Sequence, residues 1–220
     1  MKNLTYDQML EKVKQDGFEL VNASKEMRDD FEIVLTALED DKYALEYASK
    51  RLKDDRGFVL KAIDKSGHAL CDASERLKDD YDVVLTAVGK DGGALQFASE
   101  RLQNDFGVVL TAVSECGFSL QDASEDLKDD YNIVMGAVND EGLALVYASD
   151  TMRKNYHIVL AAVSDRGRAL EFASDELRND RNIVLAAVKN DGYAITYASK
   201  ELRNDPEIKK AAIDQNPYSF

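Results

Sequence analysis

Apolar residues recur along this chain at helical spacing, and the spacing itself repeats. From Tyr6 to Asp205 the sequence divides into eight repeats of 25 residues without insertion or deletion: 6–30, 31–55, 56–80, 81–105, 106–130, 131–155, 156–180 and 181–205. A ninth, partial repeat, 206–220, reads as a C-terminal cap. YHIVLAAVSDRGRALEFASDELRND, residues 156–180, is typical. With each repeat numbered 1 to 25, positions 4, 5 and 8 are apolar in all eight, and position 7 is Ala in seven. That spacing predicts an amphipathic helix and not an alternating strand. A second apolar set at positions 15, 18 and 22 predicts a second helix. Repetition in one fixed register means that every repeat touches its neighbours in the same way, as in a solenoid.

Polar positions punctuate these helices. Position 25 is Asp in seven repeats and Asn155 in the other, an N-cap for the helix that follows. Asp205-Pro206 fits the same scheme, with Pro at the first helical position. Position 12 is Gly in seven repeats, at 17, 67, 92, 117, 142, 167 and 192, and reads as a C′ glycine able to take positive φ. Lys42 is the exception and should cost about 1 kcal/mol if that geometry is kept. Positions 18 and 19 are Ala-Ser throughout, from Ala23-Ser24 to Ala198-Ser199. Two readings fit the serine. It lies inside one long second helix, bonded to a carbonyl one turn back, or it caps a separate short turn, the reading preferred here.

Both ends read as polar caps. Lys12 replaces the usual Ala at position 7 of the first repeat, and Lys209 and Lys210 replace the apolar pair in the last. Polar terminal repeats keep a solenoid soluble, so the array is expected to be a whole protein of one repeat domain, 1–220.

The segments Ile183–Asp205, IVLAAVKNDGYAITYASKELRND, and Val83–Asp105, VVLTAVGKDGGALQFASERLQND, resemble the DUF4116 repeat family. The shared pattern is a D-x-x-x-V-L-x-A-V helix, a Gly turn, then A-L-x-Y-A-S-x-x-L-R-x-D, and it covers Tyr6 to Asp205 eight times over. Many relatives carry Ser-Pro where this chain has the serine and its successor, which implies the capped turn. The family has no assigned chemistry. Its members include proteins of intracellular bacteria, secreted effectors among them, and of some protists, which implies a host-interaction role.

The fold class expected is all-α: an α-solenoid or superhelix of eight two-helix repeats with polar capping ends. Composition adds little to that. Apolar residues make up 45%, enough for a core, and 2 Pro, 2 Cys and no Trp exclude collagen-like and disulfide-rich classes. The net charge of −14 argues against nucleic acid or an anionic membrane as partner. By repeat the charge runs −3, −3, 0, −2, −5, −1, −2 and +1, so a basic patch on a partner would be steered to the fifth repeat or the first two. No signal peptide or membrane span is evident, which points to the cytoplasm, or to a host cytosol for an effector.

Candidate chemistry is sparse. No catalytic, nucleotide-binding or metal-binding motif occurs, so no cofactor is expected. His68 and His157 read as surface histidines in separate repeats, and Cys71 and Cys116 as isolated reduced thiols. The junction pairs Asp29-Asp30, Asp54-Asp55, Asp79-Asp80 and Asp129-Asp130 read as one cap plus one solvated carboxylate. The basic residue at position 23 reads as a local partner for them, and the aromatic at position 1 as packing.

One face varies while the scaffold repeats. Positions 13, 16, 17 and 20 share a side of the second helix or its equivalent. Position 13 supplies Phe18, Tyr43, His68, Phe118 and Tyr193; position 17 supplies Tyr47, Phe97, Tyr147, Phe172 and Tyr197, half exposed because Asp takes their place elsewhere. Such a face is how repeat proteins build a binding surface, and exposed aromatics are its anchors. The function expected is a non-catalytic protein-interaction scaffold, of an effector-type adaptor. An acidic decoy that mimics DNA, and a small-ligand or enzymatic role in the groove, are the alternatives.

Overall fold

A computed structural model describes residues 4–216. All secondary structure among the described residues is helical. The chain divides into two compact units, Met1–Gln103 and Asn104–Phe220. Within each, tandem repeats pack helix against helix in chain order, the arrangement of an α-solenoid. Residues 217–220 of the C-terminal cap lie outside the described residues.

Each repeat holds three elements instead of two. In the seventh they are an α-helix, Tyr156–Asp165, a 3₁₀ helix, Gly167–Phe172, and one turn of α-helix, Asp175–Arg178. The capped-turn reading of the serine holds: Ser174 Oγ accepts from the Leu177 N–H, and Ser49, Ser74, Ser124 and Ser149 do the same in their repeats. The segment expected as a second α-helix is 3₁₀, and its buried positions 12, 15 and 18 fall one 3₁₀ turn apart. Leu20, Leu45, Leu70, Leu95, Leu120, Leu145 and Leu170, all at position 15, are fully buried.

The first helix buries positions 3, 4, 7 and 8, as with Ile158, Val159, Ala162 and Val163. Position 5, expected in the core, is only half-buried in every repeat, for example Leu110 and Leu160. The N-caps are as expected: Asp30, Asp55, Asp80, Asp105, Asp130, Asn155, Asp180 and Asp205 each accept a backbone N–H of the helix they precede.

The repeat glycine works differently from the expectation. No described glycine has positive φ. It is needed because the next repeat comes too close for a side chain. A Cβ on Gly17 would lie 2.3 Å from the Ala37 carbonyl oxygen, and on Gly117 2.4 Å from that of Ala137. The glycine N–H also crosses to the next repeat, donating from Gly117 to Asp140 at 2.7 Å and from Gly142 to Asp165 at 2.9 Å. Lys42 has the Cβ that this approach excludes. In its repeat the first helix stops at Ala37 and the 3₁₀ helix is cut to Ala44–Tyr47, with Lys42 exposed. The expected geometry is therefore not kept there.

The first repeat carries its own cap. Lys12 at position 7 and Glu19 at position 14 replace the two alanines of later repeats and pair at 3.1 Å.

Candidate partner-binding face

The junction between repeats is the best-defined polar site. Six serines at position 19 donate their N–H to the position-23 carbonyl of the repeat before, as Ser49 to Arg28 at 2.8 Å and Ser149 to Lys128 at 2.9 Å. Hydroxyls at position 19 donate to position 24 of the repeat before: Ser49 to Asp29, Ser74 to Asp54, Ser99 to Asp79 and Ser149 to Asp129, and at 2.6 Å Ser124 to Asn104 and Ser199 to Asn179. The first carboxylate of each junction pair is thus a structural acceptor as well as the solvated charge expected, with Asp54 and Asp79 about half exposed. Arg51, Arg76 and Arg101 close the site on Asp29, Asp54 and Asp79 at 2.9, 3.1 and 2.9 Å. The serine bond and then the guanidinium hold these three carboxyls below the usual carboxylate range.

The basic residue at position 23 does not pair with these aspartates. Lys53 donates instead to the Glu46 carbonyl at 2.8 Å, and Arg153 to that of Val146, each at position 16 of its own repeat. The cation lies at the C-terminal end of the 3₁₀ helix, where unpaired carbonyls favour it. Lys53 also reaches Asp72 of the next repeat at 3.7 Å, which supplies the partner that an Asp at position 17 requires. Asp122, in the same place, has its carboxyl pushed up by burial.

Against this scaffold the candidate aromatics stand in order. Position 13 lies at the start of the 3₁₀ segment, and its N–H is fixed by the acid two residues earlier: Phe18 by Asp16 at 3.0 Å, Tyr43 by Asp41 at 2.9 Å, Tyr193 by Asp191 at 3.0 Å. The buried position-15 residue anchors the segment beneath. Phe18, Tyr43, Phe118 and Tyr193 are consequently exposed, at 54, 47, 43 and 42%. Tyr47, Phe97, Tyr147, Phe172 and Tyr197 are half-buried.

The two positions meet across repeat boundaries. Phe18 packs edge-on against Tyr47 of the next repeat, with centroids 5.8 Å apart, and Phe118 against Tyr147 at 6.3 Å. His68 sits edge-on between Tyr43 and Phe97 at 5.0 Å from each, so it is part of this ridge and not a bare surface histidine. Where position 13 is Arg168, it pairs with Asp191 at 3.5 Å, beside Tyr197. Phe172 lines an open cleft of about 370 Å³ with Arg153 and Lys154. Carboxylates surround the rings: burial, then Glu46, Asp41 and Asp72, push the Tyr47 phenol up.

The remaining candidates are plain. Cys71 and Cys116 are free, and burial and Asp72 push the Cys71 thiol up to about 11, so it is not a poised thiolate. His157 packs on Tyr156. No group of three His, Cys, Asp or Glu among the described residues is placed to hold a metal ion. No described helix is long and apolar enough to cross a membrane.

Position 1 packs, but against the next repeat and not in the core. Tyr6, Phe31, Tyr81, Phe106, Tyr131 and Tyr156 are 37–43% exposed. They lean on the next repeat at the helix N-termini. Tyr6 donates to Glu32 at 3.0 Å, Phe31 stacks edge-on Phe58 at 4.8 Å, and Arg56 pairs with Asp80 at 3.0 Å.

All-helical repeats stacked in chain order, with a glycine contact and a serine–carboxylate bond at their junctions, define an α-solenoid repeat protein. Its family model is described as a domain of unknown function, DUF4116, and matches residues 6–53, 55–103, 81–128, 105–153, 155–203 and 180–220. The chain belongs to the DUF4116 family. No curated protein and no solved structure is significantly similar to it.

Proposed function

We propose that the chain is a non-catalytic protein-binding scaffold whose partner docks on the aromatic ridge of positions 13 and 17. One observation carries the reading: rings that differ from repeat to repeat are held across repeat boundaries by a backbone that does not, as in Phe18–Tyr47 and Phe118–Tyr147. The carboxylates beside the rings favour a partner with a basic patch, and favour neither nucleic acid nor an anionic membrane. The setting that fits is a cytosol, the cell's own or, for an effector-type adaptor, a host's. An acidic decoy is less well supported, because the charge is uneven along the chain, −5 in the fifth repeat against 0 in the third and +1 in the eighth. A ligand-binding role is less well supported, because clefts such as that lined by Phe172 are open surface ones.

The test is affinity purification with the full chain and with a Tyr43→Ala/Phe118→Ala/Tyr193→Ala variant. All three side chains lie outside the core, so the variant should fold, with a thermal midpoint lowered only by the lost edge-on ring contacts of Tyr43 and Phe118. Loss of a specific partner with the variant supports the reading, and equal recovery by both chains contradicts it.

A further inference from the structure

The outer face of the first helix is made by positions 1, 2, 5, 6 and 9, opposite the buried positions 3, 4, 7 and 8. In the first four repeats this face carries nine charged side chains, among them Asp7, Glu11, Glu32, Arg56 and Lys61. In repeats five to seven it carries none across fifteen positions, in a protein that is 32% charged. All three of those helices, Phe106–Glu115, Tyr131–Asp140 and Tyr156–Asp165, lie within the compact unit Asn104–Phe220.

Small or uncharged polar residues take the place of the charges, among them Gly107, Gly136, Ala161, Asn139 and Ser164, and leave the aromatic and leucine positions bare. Phe106, Tyr131 and Tyr156 stand exposed, and Leu110, Met135 and Leu160 lie half-buried one turn further along each helix. Position 6 is small: at Gly136 a Cβ would have its nearest contact with Val113 and Leu110 of the preceding helix, at 3.5 and 3.6 Å. The hydroxyls on the face turn back to their own helix. Thr111 donates to the Gly107 carbonyl at 2.9 Å, Ser114 to Leu110 at 2.8 Å and Ser164 to Leu160 at 2.6 Å. Three ten-residue helices at ordinary spacing make this a patch of roughly 400 Å².

Both rims of the patch are acidic. Ahead of the helices stand Asp105, Asp129 and Asp130 against one cation, Lys154. Beyond them stand Glu115, Asp140, Glu141 and Asp165 against Arg166. We infer that this face is a second docking surface, independent of the aromatic ridge, and that its occupant is a cationic amphipathic helix of a partner protein. The apolar side of such a helix covers the ring-and-leucine stripe, and its flanking Lys or Arg meets the rims. A second copy of this chain fits poorly: it would bring acidic rims against acidic rims, and the patch is about half of what a stable dimer buries per partner.

The probe is an 18-residue Leu/Lys peptide that forms an amphipathic helix, with a control peptide of the same composition whose leucines are spread around the helix. The full chain should bind the amphipathic peptide at least tenfold more tightly, in 0.5 M NaCl as well as at low salt. Amide shift changes should fall on the helices 106–115, 131–140 and 156–165. Tyr131→Ala/Tyr156→Ala should weaken binding at least tenfold. Asn139→Glu/Ser164→Glu, at exposed positions, should weaken it too, although added acid would tighten any attraction that was only electrostatic. The Tyr43/Phe118/Tyr193 alanine variant should bind as the wild type does, so failure here and failure of the ridge are separate results. Equal affinity for both peptides, tighter binding by the glutamate variant, self-association lost with Tyr131→Ala, or partition of the chain onto phosphatidylcholine vesicles through this face would each overturn the inference.

Discussion

At the scale of single residues, conservation of type within the array has steric and hydrogen-bonding causes that can be separated. Gly117 and Gly57 show this. A Cβ on Gly117 meets the Ala137 carbonyl oxygen at 2.4 Å, whereas on Gly57, inside a helix, it meets nothing nearer than an Asp55 carboxylate oxygen at 3.4 Å. Gly117→Ala should therefore destabilise by ~2 kcal/mol or more through strain. Gly57→Ala should stabilise by ~0.5–1 kcal/mol through helix propensity. Urea unfolding of the two variants should move in opposite directions. The recurrence of the glycine was legible in the sequence, but its reason was not. A C′ glycine and a close-approach glycine look the same in one strand of text, because the carbonyl that excludes the side chain comes from 20 residues away. The same holds for Ser49, whose hydroxyl both caps its turn and donates to Asp29. Ser49→Ala should cost ~1–2 kcal/mol, with a lower thermal midpoint as the readout.

Elements came out of the periodicity unevenly. The first helix and its caps followed directly from position 25 and the apolar run. The 3₁₀ helix did not, since a three-residue step at positions 15 and 18 belongs to both helix types, and six residues are too few to separate them. The junctions were read as local, although their bonds run between repeats. Their consequence is a pH dependence that belongs to the first compact unit. Asp29, Asp54 and Asp79 have folded-state carboxyls held below the ordinary range by Ser49, Ser74 and Ser99 and by arginine. A depressed folded pKa gives stabilisation that is full above the unfolded value, near ~4, and is lost as pH falls through the lower folded one. In the second unit Asn104 and Asn179 occupy two of the equivalent sites, and an amide does not titrate. Amide exchange measured from pH 5 down to pH 2 should show protection of the short turns in residues 49–103 falling further than in 104–204. Asp29→Asn/Asp54→Asn/Asp79→Asn should remove that difference. A difference that survives the triple variant would place its origin elsewhere.

For the whole molecule, the functional reading depends on what the constant scaffold leaves free to vary. The sequence singled out Phe18, Tyr43, Phe118 and Tyr193, at equivalent places in their repeats, because positions 13 and 17 differ between repeats while their neighbours do not. It could not pair them, since the contact is between position 13 of one repeat and position 17 of the next, and only stacking brings those together. Position 1 was hidden for a related reason. An aromatic beside a core run reads as core, but it sits at the solvent side of the helix and rests on the following N-cap instead. The net charge of −14 likewise divides into caps, serine acceptors and rims.

The protein-binding reading is tested most directly by photo-crosslinking in cells that contain the native partner. A benzophenone side chain is placed singly at Tyr43, Phe118 and Tyr193, and at Glu75 and Glu125 in the serine-capped turns as exposed controls. Crosslinks from the ridge positions to a common protein, with none from the two controls, are the predicted result. No protein crosslink from any ridge position, or the same spread of proteins from ridge and control alike, would contradict it.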